Sequence, residues 1–130
     1  AYFALHSLAG QRIEKAFLIS PIVDMEELII QMMAQAGITE GELEKRKEIY
    51  TSCGEKISWE YLCYVRKNPL AWNIPTEVLY GESDHMTSCE TISAFASLTG
   101  AGLTVMKGGE HWFHTKEQMA FLDAWIKRSQ

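Results

Sequence analysis

The pattern of apolar and polar positions predicts an alternation of helices and strands. Residues 1–9, 25–36, 40–50, 59–67, 88–99 and 116–126 repeat apolar residues at helical spacing. Residues 16–20, 77–80 and 103–106 are short, continuous apolar runs that are typical of buried strands. The predicted order is therefore helix, strand, a helical stretch without strands, strand, helix, strand, helix.

Residues that cap helices stand at most of the predicted helix boundaries. A side chain that can accept a backbone N–H bond is followed, three residues later, by Glu or Gln in the capping-box spacing. The predicted caps of this kind are Asp24, Thr39, Thr87 and Thr115, and Ser58 is a further predicted cap. Glycine closes several helices, with Gly10, Gly37 and Gly100 placed just beyond their last apolar positions. These local signals support the helical assignments.

Strands that alternate with helices predict a parallel sheet with helices on both faces, which is a three-layer α/β/α fold. We expect one partial domain over residues 1–130, with residues 25–72 as a helical insertion. The first predicted strand, Ala16 to Ser20, is apolar throughout and is expected to be covered on both faces. It is also a free edge of the three-strand sheet. More protein is expected to cover this edge, and an isolated chain is expected to self-associate through the strand around Phe17.

Composition and charge exclude some classes of function. The net charge of -5 and the pI near 5.3 argue against nucleic-acid binding, which usually needs a basic face. No apolar run approaches the roughly 20 residues that span a bilayer. No glycine-rich nucleotide loop occurs, and the histidines and cysteines lack metal-ligand spacing, so no cofactor is expected. The absence of such a loop also weakens the hypothesis that the chain is an unrelated doubly wound nucleotide binder.

Three cysteines, Cys53, Cys63 and Cys89, form no C-x-x-C pair. Their odd number and their spacing predict a reduced, cytoplasmic setting in which they are small buried thiols. The chain opens inside an apolar helical pattern at Ala1, without a capping residue. We therefore expect that residue 1 lies within an element of a longer fold.

Two titratable residues follow strands and are the main candidates for chemistry. Asp84 follows the strand 77–80 through Gly81, and His111 follows the strand 103–106 through Gly108-Gly109. The carboxyl ends of parallel strands share one edge of a sheet, where sites of such folds lie. A carboxylate there can orient an imidazole so that its second nitrogen acts as a base. The glycines are expected to provide the tight turns that aim both side chains.

Other residues compete for these roles, and a structural role is preferred for each. His114 is the rival base, although it lies beside the cap of the last helix. Asp24 ends the first strand and could be an acid, but capping explains it as well. Possible nucleophiles or general bases with simpler roles in packing, turns or caps are His6, Ser7, Ser83, Ser88 and Cys89. Four aromatic residues could line an acyl pocket, although aromatic residues at helical spacing more often belong to a core: Trp59, Tyr61, Trp72 and Trp112.

The two motifs together resemble the C-terminal half of an α/β-hydrolase, and the resemblance covers the whole chain. That family orders its triad as nucleophile, Asp or Glu, and His. Its acid stands in a G-x-x-D context, matched by Gly81-Glu-Ser-Asp84, and its histidine follows a glycine-rich turn, matched by Gly108-Gly-Glu-His111. Residues 25–72 stand where the family inserts its lid. The resemblance therefore implies a serine hydrolase of the esterase, lipase or peptidase type.

The resemblance also implies that part of the catalytic machinery lies outside residues 1–130. The family's nucleophile elbow, G-x-S-x-G, precedes the helix to which residues 1–9 correspond, so it is expected just before Ala1. Asp84 and His111 are the implied acid and base, and an ester or amide with an apolar acyl group is the implied substrate. The isolated chain is expected to be inactive. The alternative hypothesis is a truncated or degenerate hydrolase that acts as a binding domain without catalysis.

Overall fold

The computed structural model describes residues 1–130 and contains six helices and five strands. The helices are α1 (Tyr2–Leu8), α2 (Met25–Ala36), α3 (Glu40–Arg46), α4 (Trp59–Lys67), α5 (Cys89–Thr99) and α6 (Lys116–Ser129). The strands are β1 (Ala16–Ile19), β2 (Glu48–Tyr50), β3 (Lys56–Ser58), β4 (Thr76–Gly81) and β5 (Gly102–Met106). Two compact units divide the chain: residues 1–23 with 70–130, and residues 24–69.

The first unit contains a parallel sheet in the order β1-β4-β5. Leu18 of β1 lies opposite Val78 of β4, which lies opposite Leu103 of β5. Both connections cross over between parallel strands, the second through α5. The predicted α/β class and the three parallel strands are thus confirmed.

Alternate side chains of the central strand β4 enter two different cores. Val78 and Tyr80 pack with Leu5 of α1 and with Ile92 of α5. Leu79, which points the other way, packs with Met106 and Trp125 and with neighbouring residues of α6. Val78 and Leu79 are both completely buried because helices cover both faces of the strand. This arrangement is the predicted three-layer fold.

The edge strand β1 differs from its prediction. Phe17 and Ile19 are 37% and 42% exposed, whereas Ala16 and Leu18 pack against the core. The expectation that both faces of this strand are covered is therefore wrong for the described residues. The ring of Phe17 meets the buried ring of Trp125 edge-on, with 5.8 Å between centroids, so its face is only partly shielded.

Helix boundaries mostly follow the predicted caps, with one correction. The side chains of Asp24, Thr39 and Thr115 each accept the backbone N–H three residues later, as predicted. The cap of α5 is Ser88 and not Thr87, because the Ser88 hydroxyl accepts the N–H of Thr91 at 3.1 Å. The carbonyl of Thr87 instead accepts the phenol of Tyr80, which keeps Thr87 in the turn before the helix.

The second unit, residues 24–69, contains α2, α3, α4 and an antiparallel hairpin of β2 and β3. The predictions of a helix through Tyr50 and of a stretch without strands are wrong. Helix α3 ends at Arg46, and Lys47 takes a positive φ of 68° that turns the chain away from the helix. Ile49 and Ile57 then pair across the hairpin and are both buried, and the residues next to them are more exposed, which is the period of a strand.

The three cysteines are free thiols, and Cys53 and Cys89 are exposed. The expectation of buried thiols is thus wrong for these two. Cys89 is the first residue of α5, and Cys53 lies in the turn of the hairpin, so neither position faces a core. None of the helices combines the length and the apolar character that crossing a membrane requires.

Candidate active site

Asp84 and His111 leave the same edge of the parallel sheet. Strand β4 ends at Gly81, three residues before Asp84, and strand β5 ends at Met106, five residues before His111. Gly81 is the register partner of Met106, so the loops after the two strands start side by side. The sheet therefore delivers both side chains to one place, as its parallel topology requires.

A hydrogen bond of 2.8 Å joins Nδ1 of His111 to Oδ2 of Asp84. The Asp84 side chain is only 1% exposed, and the His111 side chain is 17% exposed. The second oxygen of Asp84 accepts the backbone N–H of Met86 at 2.8 Å, which fixes the carboxylate plane. When Nδ1–H of a neutral imidazole donates to a carboxylate, Nε2 is the free acceptor. The pair has the geometry of an oriented base.

Two glycines bring the loops into direct backbone contact. A Cβ placed on Gly81 would stand 2.5 Å from the carbonyl oxygen of Gly109, and one on Gly109 would stand 3.1 Å from Cα of Gly81. No side chain fits between these backbones. The sequence predicted turn-forming roles for both glycines, but Gly81 is needed for this close approach and keeps an ordinary φ. The positive φ of 66° in this loop belongs to Gly108.

Hydrogen bonds cross between the same two loops. The backbone N–H of Ser83 donates to the Gly109 carbonyl at 2.8 Å, and that of Glu82 donates to the Met106 carbonyl at 3.0 Å. The carboxylate of Glu82 also accepts the N–H of Gly108 at 2.9 Å. Three bonds therefore hold the acid loop against the histidine loop. No local signal in the sequence marks Glu82, because its partner is a backbone group 26 residues away.

Tyr80, a buried residue of β4, lies close enough to Asp84 for the two side chains to interact electrostatically. Burial raises the pKa of Tyr80 to about 12, and the nearby carboxylate of Asp84 adds to the increase. The Tyr80 hydroxyl donates to the Thr87 carbonyl at 2.7 Å, so the phenol stays protonated and bonded. Tyr80 thereby ties β4 to the turn that follows Asp84.

An open pocket of about 290 Å³ adjoins the Asp84–His111 pair. Its lining residues are Ser83, His85, Met86, Glu110, His111, Trp112 and His114. Trp112 is 74% exposed and meets the ring of His111 edge-on, with 5.2 Å between the centroids. The pocket therefore offers both apolar and polar surface beside the imidazole.

The rival base, His114, does not reach the acid. Its Nδ1 lies 2.7 Å from the backbone carbonyl of Trp112 and 3.5 Å from the Glu110 carboxylate. Its side chain is 65% exposed. The structure thus brings His111, and not His114, to Asp84.

The other rival residues have structural positions. Asp24 caps α2 by accepting the N–H of Glu27 at 2.9 Å. Ser88 caps α5, and Trp72 is part of the sheet's core, where its indole N–H donates to Thr76 at 2.8 Å. His6 and Ser7 lie within α1, whereas Trp59 and Tyr61 belong to α4 of the second unit. The described residues contain no cluster of three metal-ligating side chains.

Similar solved structures are α/β-hydrolases. Mouse alpha/beta hydrolase domain-containing protein 10 matches with a TM-score of 0.65 and 16% identity, over 99% of this chain and 59% of its own. Est1E from Butyrivibrio proteoclasticus, solved with ferulic acid bound, matches with a TM-score of 0.69 and 17% identity, over 95% and 54%. The esterase Pf2001 from Pyrococcus furiosus matches with a TM-score of 0.52 and 14% identity, over 97% and 46%.

The chain therefore has the fold of the C-terminal half of an α/β-hydrolase, as its sequence motifs predicted. It spans about half the length of these matched structures. No protein-family model matches the sequence, and no curated protein matches it either. At 14–17% identity the likeness defines the fold and not the role of any residue.

Proposed function

We propose that Asp84 and His111 are the acid and the base of a serine-type hydrolase that cleaves esters or amides. The observation that carries this proposal is the 2.8 Å bond between a carboxylate that is 1% exposed and Nδ1 of an imidazole. Asp84 holds the tautomer in which Nε2 is the base. Nε2 removes the proton of the nucleophile as it attacks the carbonyl carbon, and it later protonates the leaving group.

The nucleophile and the oxyanion donors belong, in this proposal, to a preceding half of the same fold. Residues 1–130 contain no G-x-S-x-G elbow, and the matched hydrolases are about twice as long as the aligned region. Most of the predicted insertion, residues 24–69, acts as a lid that selects the substrate, whereas Trp72 at its predicted end belongs to the sheet's core. An apolar acyl group is the expected preference. The separate compactness of residues 24–69 supports this division. Residues 1–130 alone are expected to show negligible turnover, because base and nucleophile act as a unit.

Hydrolysis of nitrophenyl esters by the full-length protein tests this function. We expect Asp84→Asn to lower kcat by about 10⁴-fold, because the amide favours the wrong tautomer of its histidine. His111→Ala is expected to cost at least as much. The matched control is His114→Ala, which removes a neighbouring histidine that lies away from Asp84 and should change kcat by less than about tenfold. Equal losses in the two histidine variants would contradict the assignment.

A second candidate is a binding domain without catalysis, and the exposed edge of β1 favours it. Phe17 and Ile19 present apolar side chains beside an edge that has a sheet neighbour on one side only. Pairing of two copies through this edge is the simplest form of such binding. Sedimentation of Phe17→Lys beside the native protein tests it. A monomer in both cases, together with ester hydrolysis that depends on His111, rejects this candidate.

A further inference from the structure

The segment that carries His111 is irregular, and a side chain of the next helix spans it. Residues 107–115, between β5 and α6, form turns and bends. Gln118 lies in the first turn of α6, and it is only 5% exposed. A buried amide is stable only when its polar atoms are bonded. Its partners therefore indicate what Gln118 does.

Both ends of the Gln118 amide contact this segment. Its oxygen accepts the backbone N–H of His114 at 3.1 Å and that of Thr115 at 3.5 Å. Its nitrogen donates to Oε2 of Glu110 at 3.3 Å. One side chain therefore bridges residues 110 and 114, which flank His111. The Glu110 backbone lies against Gly81 as well, since a Cβ on Gly81 would stand 2.8 Å from the Glu110 carbonyl oxygen.

The identity of the side chain at position 118 separates two roles. A capping box needs only an acceptor at this position, and glutamate and glutamine serve it equally. The contact with Glu110 needs a donor, which only the amide provides. Glutamine is thus required for the Glu110 contact and dispensable for the cap.

We infer that Gln118 is a positioning residue, whose amide holds Glu110 and thereby keeps the His111 imidazole against Asp84. Glu110 is about half exposed and lines the pocket, so without this bond its side chain is free to turn and the segment that carries His111 loses one of its anchors. His114 also approaches Glu110, at 3.5 Å, but its side chain is more exposed than Gln118 and provides a weaker anchor. The inference builds on the proposed role of His111 as the base.

The hydrogen bond between Gln118 and Glu110 can be broken by one substitution and restored in the reverse direction by a second. Gln118→Glu keeps the acceptor for His114 and Thr115 and places a negative charge in the first turn of α6, where the helix dipole favours it. It also places two carboxylates side by side. Glu110→Gln combined with Gln118→Glu restores one donor and one acceptor with their positions reversed. The double variant therefore regains the bridge without regaining the native residue at position 118.

The readout is the proton between His111 and Asp84 in the full-length protein, followed by NMR. We expect Gln118→Glu to speed exchange of this proton with water by about tenfold, the scale of one hydrogen bond to a charged group. The unfolding midpoint should also fall, although the cap is kept, because a charge enters a site that is only 5% exposed and lies beside a second carboxylate. In the double variant, exchange should return to within about threefold of native. The control Thr115→Ala should lower the midpoint through the lost cap and leave exchange unchanged.

Native exchange in Gln118→Glu, or fast exchange in the double variant, would overturn the inference. Equal acceleration in Thr115→Ala would overturn it too, because the effect would then belong to the helix as a whole. Glu110→Ala, at an exposed position that folding tolerates, provides a second route and should accelerate exchange as Gln118→Glu does. The readout is a hydrogen bond and not turnover. A protein without esterase activity can therefore still confirm the bridge, and an active one can still refute it.

Discussion

Two regions of the molecule differ in the polar contacts that join their parts. One region is the pair of loops that carry Asp84 and His111, and the other is the unit of residues 24–69. In the loops, Gly81 lies against Gly109 with no room for a side chain, and backbone hydrogen bonds cross the contact. In residues 24–69, exposed charges join the helices. The guanidinium of Arg66 bonds Glu26 at 2.6 Å and Glu40 at 2.9 and 2.6 Å.

This difference determines which changes each region tolerates. Close backbone packing is insensitive to salt, but it has no space for an additional methyl group. Ion pairs on the surface accept substitution at a small cost, and they weaken as salt increases. We therefore expect the geometry of the Asp84–His111 pair to be sensitive to substitution in its loops, and we expect residues 24–69 to tolerate substitution of surface charges. Substitutions in the two regions test this contrast.

The largest effect is expected from Gly81→Ala. The new Cβ overlaps the Gly109 carbonyl, and relief requires that the two loops move apart. We expect the free energy of unfolding to fall by about 3 kcal/mol, at the upper end of ordinary overpacking. The exchange of the His111–Asp84 proton should also accelerate. Urea unfolding and NMR measure the two quantities.

The matched control for this change is Gly41→Ala. Gly41 lies within α3, and no atom stands within 4 Å of the position its Cβ would take. Alanine there should stabilise the protein by about 0.5–1 kcal/mol, because it lowers the entropy cost of helix formation. A destabilisation by Gly81→Ala no larger than that of a typical surface change would show that the loops are not tightly packed.

An intermediate effect is expected from Tyr80→Phe. The change removes the hydroxyl that donates to the Thr87 carbonyl, and that buried acceptor loses its partner. We expect a loss of about 1–2 kcal/mol at neutral pH, measured by urea unfolding. Val105→Ala, on the partly exposed strand β5, provides a comparison without loss of a hydrogen bond.

The same residue gives a dependence on alkaline pH. The pKa of Tyr80 is raised from 10.0 to about 12 in the folded protein, first by burial and then by the Asp84 carboxylate. The folded state therefore holds this proton more tightly than the unfolded state. The contribution of protonated Tyr80 to the free energy of unfolding is therefore fully present below pH 10.0, and it is lost as the pH rises through about 12. The gap between native protein and Tyr80→Phe should narrow over this range, and a constant gap would contradict the assignment.

The smallest effect is expected from Arg66→Gln in the unit of residues 24–69. Hydrogen bonding to Arg66, with attraction between the charges, holds the pKa of Glu40 below its usual 4.5. The Glu40–Arg66 interaction therefore contributes to stability above pH 4.5, and this contribution is lost as the pH falls through the lower pKa that Glu40 has in the folded protein. Hydrogen exchange of the α4 amides should show faster opening in Arg66→Gln at neutral pH.

Acid and salt should each reduce the difference between Arg66→Gln and the native protein. In about 1 M salt, where the screening length is about 3 Å, the difference should nearly vanish. The comparison variant is Lys127→Gln, which removes a more exposed single pair with Asp123. It should have a still smaller effect. A salt-independent loss in Arg66→Gln would mean that packing of its stem, and not charge, joins these helices.

The sequence revealed features whose causes are local in the chain. The caps at Asp24 and Thr115 involve atoms three residues apart, so the residue types predict them directly. The Asp84–His111 contact spans 27 residues, but parallel topology brings strand ends together and so predicts it as well. Both predictions rest on one rule each.

Features that depend on distant or weak signals were missed. The β2–β3 hairpin has strands of three residues, which are too short to show a period, and its start depends on the positive φ of Lys47. The contact of Gln118 with Glu110 was hidden because the capping box already explained that glutamine. The exposure of Cys89 contradicts a statistical tendency of cysteine, since the first position of a helix faces no core.

The contact between Gly81 and Gly109 fixes the positions of both functional residues, because each of them lies a short distance along the chain from one of these glycines. Asp84 lies three residues beyond Gly81, and His111 lies two residues beyond Gly109. Insertion of one residue between Gly81 and Asp84, or between Gly109 and His111, would move that side chain out of hydrogen-bonding distance of its partner. Helix α5 (Cys89–Thr99) connects the two strands, and its Leu98 is 88% exposed. Insertions or deletions near the end of α5 leave both of these short segments unchanged. The acid–base pair is thus independent of the length of the crossover that separates its members in sequence.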